Sequence, residues 1–394
     1  MPFDIFAGLR VLDFSRVLAG PYATRLLADY GAEVLKLQTR KTAVGAEANR
    51  EAYFAAWNRN KRGIVLDMDQ PGARDAVLEL ARVCDIVVEN FAPRVLDNWG
   101  LDYESLQRQN AGIILLRMSA MGQTGPWRNR VAFGPTIHAL SGLIHFTSAA
   151  SPPLNPGFAY ADVVAGLYGA LAVSAAVYSR ERTGRGECIE LSEYEAMASL
   201  LGPALVGLQA GATGDWLRTE LAEPVPAAPY GCFRCRDADR WCAIAVFADR
   251  QWLALCEVLE LGDARDDPRF ATHASRRQHA SELQAKVQEK ALALAAGELS
   301  ELLQRRGVPA ALVQDARDLA CDPQLLQRGF FLQIPDAVRG KLVGDRGAIR
   351  LGDVPSPAWK SAPMLGQDVD YVFGTLLKWS PEKIADHRAR GVIA

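Results

Sequence analysis

Short apolar runs alternate with amphipathic segments over the first 120 residues. The apolar runs predict five buried strands, over residues 9–14, 33–37, 63–67, 85–89 and 112–116. Helices are predicted between them over residues 21–30, opened by Pro21, and over residues 71–83. Buried strands separated by helices predict a parallel sheet covered on both faces, which binds its ligands at the carboxyl ends of the strands.

The pattern changes after residue 120. Residues 121–160 are rich in Gly, Pro, Ser and Thr and predict a long functional loop. An apolar helix over residues 162–180 follows, and its Gly166 and Gly169 favour a buried helix over a membrane span. Three prolines between residues 220 and 229 indicate a crossing into a second domain with a strand pair over 231–246 and several helices. The tail is predicted as loops that end in a helix over 381–390.

Composition narrows the function classes. The 394 residues are 49% hydrophobic, which allows a large core and favours two domains. A net charge of −2 argues against binding to nucleic acid or to an anionic membrane, so a polyanionic ligand needs local basic groups. The N-terminus has no apolar signal region, and seven scattered cysteines indicate reduced thiols, so we expect a cytoplasmic protein.

Two local motifs give weak signals. Cys232 and Cys235 have CxxC spacing, with Cys242 downstream. A zinc site requires a second cysteine pair or nearby histidines, and the nearest histidine is His273. Ordinary strand thiols are therefore favoured over a metal or redox site. The first strand is followed by residues 15–21, SRVLAGP, with one glycine where a dinucleotide fingerprint needs three, which disfavours an NAD-dependent oxidoreductase.

Eight short motifs, in order, resemble class III CoA-transferases, the CaiB/BaiF or formyl-CoA transferase-like family. They are GLRVLDFSRVLAGP at 8–21, NRNKR at 58–62, VENF at 88–91, GQTGP at 122–126, ADVVAG at 161–166, RTGRGE at 182–187, DPRF at 267–270 and LGQ at 365–367. The resemblance implies an α/β chain with a Rossmann-like large domain over 1–222 and an inserted smaller α+β domain over 223–330. A C-terminal segment over 331–394 would then return to the large domain. The resemblance also implies an interlocked homodimer, an acyl-CoA and a small carboxylic acid as substrates, no metal and no permanently bound cofactor.

Asp162 matches the nucleophilic aspartate of that family. The residue alone is more often a helix N-cap, a role that aspartate favours. An ionised carboxylate can attack a thioester without a general base, giving first a mixed anhydride and then an aspartyl-CoA thioester. The resemblance therefore implies CoA transfer through covalent intermediates on Asp162.

The resemblance also implies the residues that hold CoA. Basic groups would bind the phosphates, Leu66 and Met68 would flank the adenine, and Asn90 and Phe91 would contact the pantetheine. Each basic residue can alternatively be a solvated surface charge, and the loop NFAPR at 90–94 and Gln38 depart from the common family pattern. The implied CoA-binding set is Arg16, Val17, Leu18, Arg40, Lys61, Arg62, Leu66, Met68, Asn90, Phe91 and Arg94.

The implied substrate pocket consists of Met121, Gly122, Phe133, Gly134, His138 and Tyr160. His138 is expected either to contact a substrate carboxylate or to pack within a helix. An α-methylacyl-CoA racemase is an alternative, but residues 131–134, VAFG, lack the titratable pair that it needs. A non-catalytic CoA-binding subunit is another, although it is expected to lose Asp162. The loops look closer to relatives that use dicarboxylates or aromatic acids, with succinyl-CoA as a possible donor.

Overall fold

The computed structural model describes residues 4–147, 154–211, 227–350 and 359–393. The chain divides into two compact units, Met1–Gly211 with Gly329–Ala394, and Ala212–Arg328. The predicted boundary between residues 222 and 223 lies outside the described residues. The second segment of the first unit begins at Gly329, two residues before the point at which the C-terminal segment was predicted to rejoin the large domain.

A six-stranded parallel sheet forms the centre of the first unit. Its order is β3-β2-β1-β4-β5-β6, so the order reverses between β1 and β4. The five strands predicted from the apolar runs are confirmed, with ends shifted by up to three residues. The strands are β1 Arg10–Asp13, β2 Glu33–Gln38, β3 Lys61–Val65, β4 Ile86–Glu89, β5 Ile114–Ser119 and β6 Cys188–Ser192.

Helices cover both faces of this sheet. Neighbouring strand residues such as Val11 and Leu12 alternate between two fully buried clusters, which is the signature of a strand buried on both sides. The helices up to residue 211 are α1 Ala19–Asp29, α2 Ala52–Asn58, α3 Ala73–Val83, α4 Val95–Asn98, α5 Tyr103–Gln109, α6 Gly134–Leu140, α7 Leu143–Thr147, α8 Tyr160–Thr183, α9 Glu193–Ser199 and α10 Gly202–Gln209.

Helix α8 lies against α1 and the sheet through small residues. A Cβ built on Gly166 would lie 2.9 Å from the carbonyl oxygen of Ala19, and one on Gly169 would lie 3.1 Å from the sulfur of Met118. Glycine therefore permits the close approach of these backbones. By length and composition α8 could cross a membrane, but its face from Ala161 to Val177 is buried against α1 and the sheet.

Two short helices lie within the segment predicted as one long loop. Helix α6 begins at Gly134 with a proline in its first turn, and α7 follows it closely. Gly and Pro are typical of turns, but proline is equally suited to the first turn of a helix. The prediction of a continuous loop over 121–160 is therefore wrong for this part.

The second unit is α+β. Its antiparallel strands are β7 Tyr230–Arg234, β8 Trp241–Ala245 and β9 Ala310–Leu312. Cys232 and Cys242 lie in the paired strands β7 and β8, and both are free thiols. The helices are α11 Asp249–Val258, α12 Gly262–Arg265, α13 His273–Gln278, α14 Ala280–Ala291, α15 Ala296–Arg305, α16 Ala316–Ala320 and α17 Pro323–Gln327.

The C-terminal segment rejoins the first unit. It contains an antiparallel hairpin that the sequence did not predict, formed by β10 Phe331–Asp336 and β11 Gly340–Asp345. It ends in α18 Pro381–Ala389, close to the predicted range. Ile393 forms a β-bridge with Leu66, just beyond β3, which ties the chain end to the edge of the parallel sheet.

Candidate active site

Two adjoining cavities open where the strand order reverses. The first, named the Asp162 cavity, has a volume of about 480 Å³ and contains residues that follow β1, β4, β5 and β6. The second, named the Met68 cavity, has a volume of about 340 Å³ and contains residues that follow β1, β2 and β3. Arg16 and Phe91 line both, so the two form one continuous groove at the position where doubly wound sheets bind ligands.

Asp162 lies in the Asp162 cavity with a free oxygen. It is the third residue of α8, whose N-cap is Ala159, so the N-cap interpretation of Asp162 is wrong. Its Oδ2 is buried and has no hydrogen-bond partner among the residues that the structure describes, and burial raises the pKa of Asp162 to about 6. Gly134 lies directly against it, because a Cβ built there would be 2.5 Å from Oδ2. Asp162 thus lines the cavity with one carboxylate oxygen, Oδ2, enclosed against Gly134.

His138 supports the start of α8. The ring is fully buried, and its Nε2 accepts a hydrogen bond from the backbone N–H of Ala161 at 3.1 Å. Its Nδ1 lies 3.0 Å from Oδ1 of Asn155, which fixes the neutral tautomer with the proton on Nδ1. Both ring nitrogens are engaged, so the expected contact with a substrate carboxylate is corrected to a packed helix histidine that positions Asp162.

Hydrogen bonds join the loop after β1 to the loop after β4, at the place where the strand order reverses. The backbone N–H of Arg16 donates to Oδ1 of Asn90 at 2.7 Å, and Nδ2 of Asn90 donates to the carbonyl of Arg16 at 2.8 Å. Val17 has a φ of 65°, and its N–H donates to Oε1 of Glu47. Leu18 is buried beneath the loop. Arg16, Val17, Asn90 and Phe91 line the Asp162 cavity, whereas Leu18 does not.

Three residues of the implied CoA set lie elsewhere. The ammonium of Lys61 is fully buried and donates to Oδ2 of Asp13 at 2.9 Å and to three other acceptors. Arg62 lies at the amino edge of β3, paired with Glu33 and Asp368. Leu66 is fully buried in the core. These placements correct the expectation of clustered basic groups at the carboxyl edge, and none of the three lines either cavity.

The remaining members of the set divide between cavity and surface. Met68 lines the Met68 cavity together with Lys41 and Trp99. Arg40 and Arg94 are exposed and line neither cavity, although Pro93 and Val95, which flank Arg94, line one cavity each. The cationic lining of the Met68 cavity therefore comes from Arg16 and from Lys41, which also pairs with Asp67 and Asp69.

Only some residues of the implied substrate pocket lie at the Asp162 cavity. Met121 and Phe133 line the Asp162 cavity, and Gly134 touches Asp162. Gly122 has a φ of 84° beside Glu190 and lies outside the lining. Tyr160, the first residue of α8, is half-exposed and packs edge-on against Phe158.

The predicted site lacks three charged residues that line the Asp162 cavity. Arg128 and Arg130 come from the loop after β5, and Arg130 lies over the ring of Trp127 at 3.9 Å. Glu193 directly follows β6 and is only 7% exposed. The signal was available, because residues that follow parallel strands meet at one edge of the sheet.

Comparisons with known proteins agree with this geometry. A family model described as CoA-transferase family III matches residues 6–369. The chain is 30% identical to the succinyl-CoA–D-citramalate CoA-transferase of Chloroflexus aurantiacus, over 98% of this chain and 97% of the relative. It is also 30% identical to the succinate–glutarate CoA-transferase of Agrobacterium fabrum, over 94% and 95% of the two chains. A CaiB/BaiF family protein from Brucella suis has a similar structure, with a TM-score of 0.85, 30% identity, and coverage of 94% and 99%.

The parallel sheet, the groove at its reversal point and these similarities define a CoA-transferase. The chain belongs to CoA-transferase family III. The resemblance stated from the eight sequence motifs is confirmed, and so is the class of enzyme that it implied. Acyl-CoA thioesters are the substrates of this class.

Proposed function

We propose that the chain transfers CoA from an acyl-CoA to a carboxylic acid through covalent intermediates on Asp162. The observation that carries this proposal is the buried, unpartnered Oδ2 of Asp162 in a cavity at the strand-order reversal. A carboxylate oxygen that accepts no hydrogen bond retains its nucleophilicity, and the raised pKa of Asp162 increases its basicity.

Each proposed step exchanges one bond at a carbonyl carbon. A carboxylate oxygen of Asp162 attacks the thioester carbon, the carbon–sulfur bond breaks, and CoA leaves as a thiolate. The thiolate then attacks the side-chain carbonyl carbon of Asp162 in the mixed anhydride, which releases the first acid and leaves an aspartyl-CoA thioester. The acceptor carboxylate attacks this thioester, and the same two steps run in reverse to give the new acyl-CoA and free Asp162.

CoA is proposed to follow the groove from the Met68 cavity to the Asp162 cavity. Met68 and Trp99 offer apolar contacts for the adenine, and Arg16 and Lys41 offer positive charge for the phosphates. Arg16 and Phe91 line both cavities, so the pantetheine would pass between them and bring the thioester to Asp162.

The acyl group and the acceptor are proposed to be dicarboxylic acids, with succinyl-CoA as donor. Arg128 and Arg130 line the Asp162 cavity and offer guanidinium groups to a second, unreactive carboxylate. The two relatives described above carry succinyl-CoA or succinate in their names. A screen of short dicarboxylates against aromatic acids as acceptors distinguishes these substrate classes.

We propose that the enzyme is a homodimer with interlocked chains. Beyond its first residue, Tyr160, helix α8 exposes four large apolar side chains, and α10 adds three more. An apolar surface of this extent typically marks an interface, and a second copy of the chain is the occupant that we propose. The exposed residues are Leu167, Tyr168, Leu171 and Tyr178 on α8 and Leu205, Val206 and Leu208 on α10.

A cytoplasmic location is part of the proposal. All seven cysteines of the sequence are free thiols in the structure. Cysteines that stay unpaired are typical of a reducing compartment.

Covalent trapping tests the role of Asp162. The enzyme is incubated with succinyl-CoA alone, and its intact mass is measured with and without hydroxylamine. We expect an adduct that hydroxylamine removes, located on the peptide that contains Asp162 and absent from Asp162→Ala. Full CoA transfer by Asp162→Ala would overturn the proposal, whereas deuterium exchange at the α-carbon without acceptor would favour a racemase instead.

A further inference from the structure

Glu193 is a second carboxyl in the Asp162 cavity that the proposed mechanism leaves unused. It is the first residue of α9 and directly follows β6, whose carboxyl end lies at the same sheet edge as those of β4 and β5. Glu193 and Asp162 line the same cavity, and the side chain of Glu193 is only 7% exposed. The chain thus buries two acidic groups beside one substrate space.

The carboxyl of Glu193 has no hydrogen bond or ion pair with any residue that the structure describes. Asp162, Arg16, Arg128 and Arg130 line the same cavity as Glu193, and the helices α8 and α6, which carry Asp162 and His138, pack against α9. Both ring nitrogens of His138 are occupied by Asn155 and Ala161. Burial, followed by the negative charge of Asp162, raises the pKa of Glu193 to about 8.

The carboxyl oxygens of Glu193 are not among the enclosed side-chain atoms that lack a partner, so the small exposed part of this side chain is accessible from the cavity that it lines. A group in the cavity can therefore reach the carboxyl. At neutral pH the carboxyl is protonated and is a hydrogen-bond donor with no acceptor of its own. A substrate oxygen in the cavity would supply the missing acceptor.

We propose that the protonated carboxyl of Glu193 donates a hydrogen bond to the carbonyl oxygen of the acyl group that Asp162 attacks. This inference rests on the proposed function and assigns it a further catalytic residue. Negative charge develops on that oxygen as the new carbon–oxygen bond forms, and a preorganised hydrogen-bond donor stabilises that charge strongly. The proton stays on Glu193 throughout, so no proton transfer is needed. An ionised Glu193 would instead repel both the oxyanion and Asp162.

Glu193→Gln tests this role because glutamine donates a hydrogen bond at every pH. In the wild type we expect kcat to fall as pH rises through about 8, because Glu193 then loses its proton. In Glu193→Gln this alkaline decline disappears. Glu195→Gln is the matched control, since Glu195 lies on the same helix with an exposed side chain, and its pH profile should match that of the wild type.

Glu193→Leu removes the donor altogether. We expect kcat to fall by about 10²-fold, the typical effect of losing one oxyanion donor, with little change in KM for succinyl-CoA. Thermal unfolding of each variant, followed by circular dichroism, verifies that it is folded. If Glu193→Leu does not fold, the pH profile of Glu193→Gln still decides the question.

The adduct on Asp162 is measured in the same variants, which separates the two proposals. A wild type that forms no adduct overturns the proposed function. A wild type that forms the adduct, together with a Glu193→Gln variant that keeps the alkaline decline, overturns the role of Glu193 alone. A carbon-13 signal from labelled Glu193 that titrates near pH 8 in the free enzyme, and is missing in Glu193→Gln, supports the protonated state independently of activity.

Discussion

Asp162 and Glu193 show how burial sets the chemistry of single residues. Both carboxyls lie in one cavity, and burial raises both pKa values, to about 6 and about 8. Between these values Asp162 is ionised and Glu193 is neutral. The pair can therefore supply a nucleophile and a hydrogen-bond donor at neutral pH, two roles that identical carboxyls in water could not share.

Asp162→Asn is expected to stabilise the fold while it abolishes CoA transfer. The pKa of Asp162 is higher in the folded chain than in the unfolded chain, so the unfolded state releases its proton first. Wild-type stability therefore falls as pH rises from about 4 to about 6, and asparagine escapes this loss. We expect a gain of about 2 kcal/mol in the free energy of unfolding at pH 7.5 and almost none at pH 4, measured by urea denaturation. Equal gains at both pH values would contradict this explanation.

Gly134→Ala is expected to displace Asp162, the proposed nucleophile. The new methyl group would lie 2.5 Å from Oδ2 of Asp162, too close for any side chain to remain in place. Because small displacements of reacting groups carry large kinetic effects, we expect kcat to fall by about 10²-fold. Gly297→Ala is the control, since nothing lies within 4 Å of its Cβ. Similar kinetics for both variants and the wild type would show that Gly134 does not constrain Asp162.

At the scale of elements, the loop between β1 and α1 rests on a buried ionic cluster. Asp13 at the end of β1 contacts Lys61 at 2.9 Å and Lys36 at 3.8 Å, and Lys36 also donates to the carbonyl of Ser15. The two lysines, together with hydrogen bonds from Ser15 and Thr24, hold the pKa of Asp13 far below its usual range despite burial. This cluster fixes the start of the loop that carries Arg16 into both cavities.

Lys61→Met and Arg62→Met are expected to differ although the residues are neighbours. Loss of Lys61 leaves Asp13 with one distant lysine, so we expect a loss on the order of 2 kcal/mol in the free energy of unfolding. Arg62 is one-third exposed, and its ion pairs with Glu33 and Asp368 contribute at most about 1 kcal/mol. Chemical denaturation measures both values. A raised KM for acyl-CoA in Arg62→Met, with unchanged stability, would show that Arg62 contributes to CoA binding after all.

At the scale of the whole molecule, the apolar surface of α8 and α10 determines the assembly that we propose. Leu171 is 65% exposed on this surface, and Leu326 is 55% exposed on α17 in the second unit. Leu171→Glu places a charge in the proposed interface and is expected to shift the protein towards monomers in light scattering coupled to gel filtration. Leu326→Glu should leave the mass unchanged. A wild type that is monomeric at micromolar concentration would contradict the proposed dimer.

The local pattern was enough to predict the sheet but not its surroundings. Apolar runs marked the first five strands because strands buried on both faces must be apolar throughout. The same reasoning missed α6, since Gly134 and Pro135 are also typical of turns, and it missed the hairpin of β10 and β11. Element type follows from long periodic patterns, whereas short elements depend on the packing of the rest of the chain.

The sequence by itself determined the family and the parallel α/β sheet, and it proposed Asp162 as the nucleophile, because motif order and apolar periodicity are local properties of the chain. Only the tertiary structure decided which residues share the cavity. In the folded chain Lys61 and Leu66 are buried in the interior, and both ring nitrogens of His138 are hydrogen-bonded. Glu193 lines the same cavity as Asp162, 31 positions earlier in the sequence. Burial and partners in space, which set the charge and availability of each group, are products of packing that no linear pattern contains.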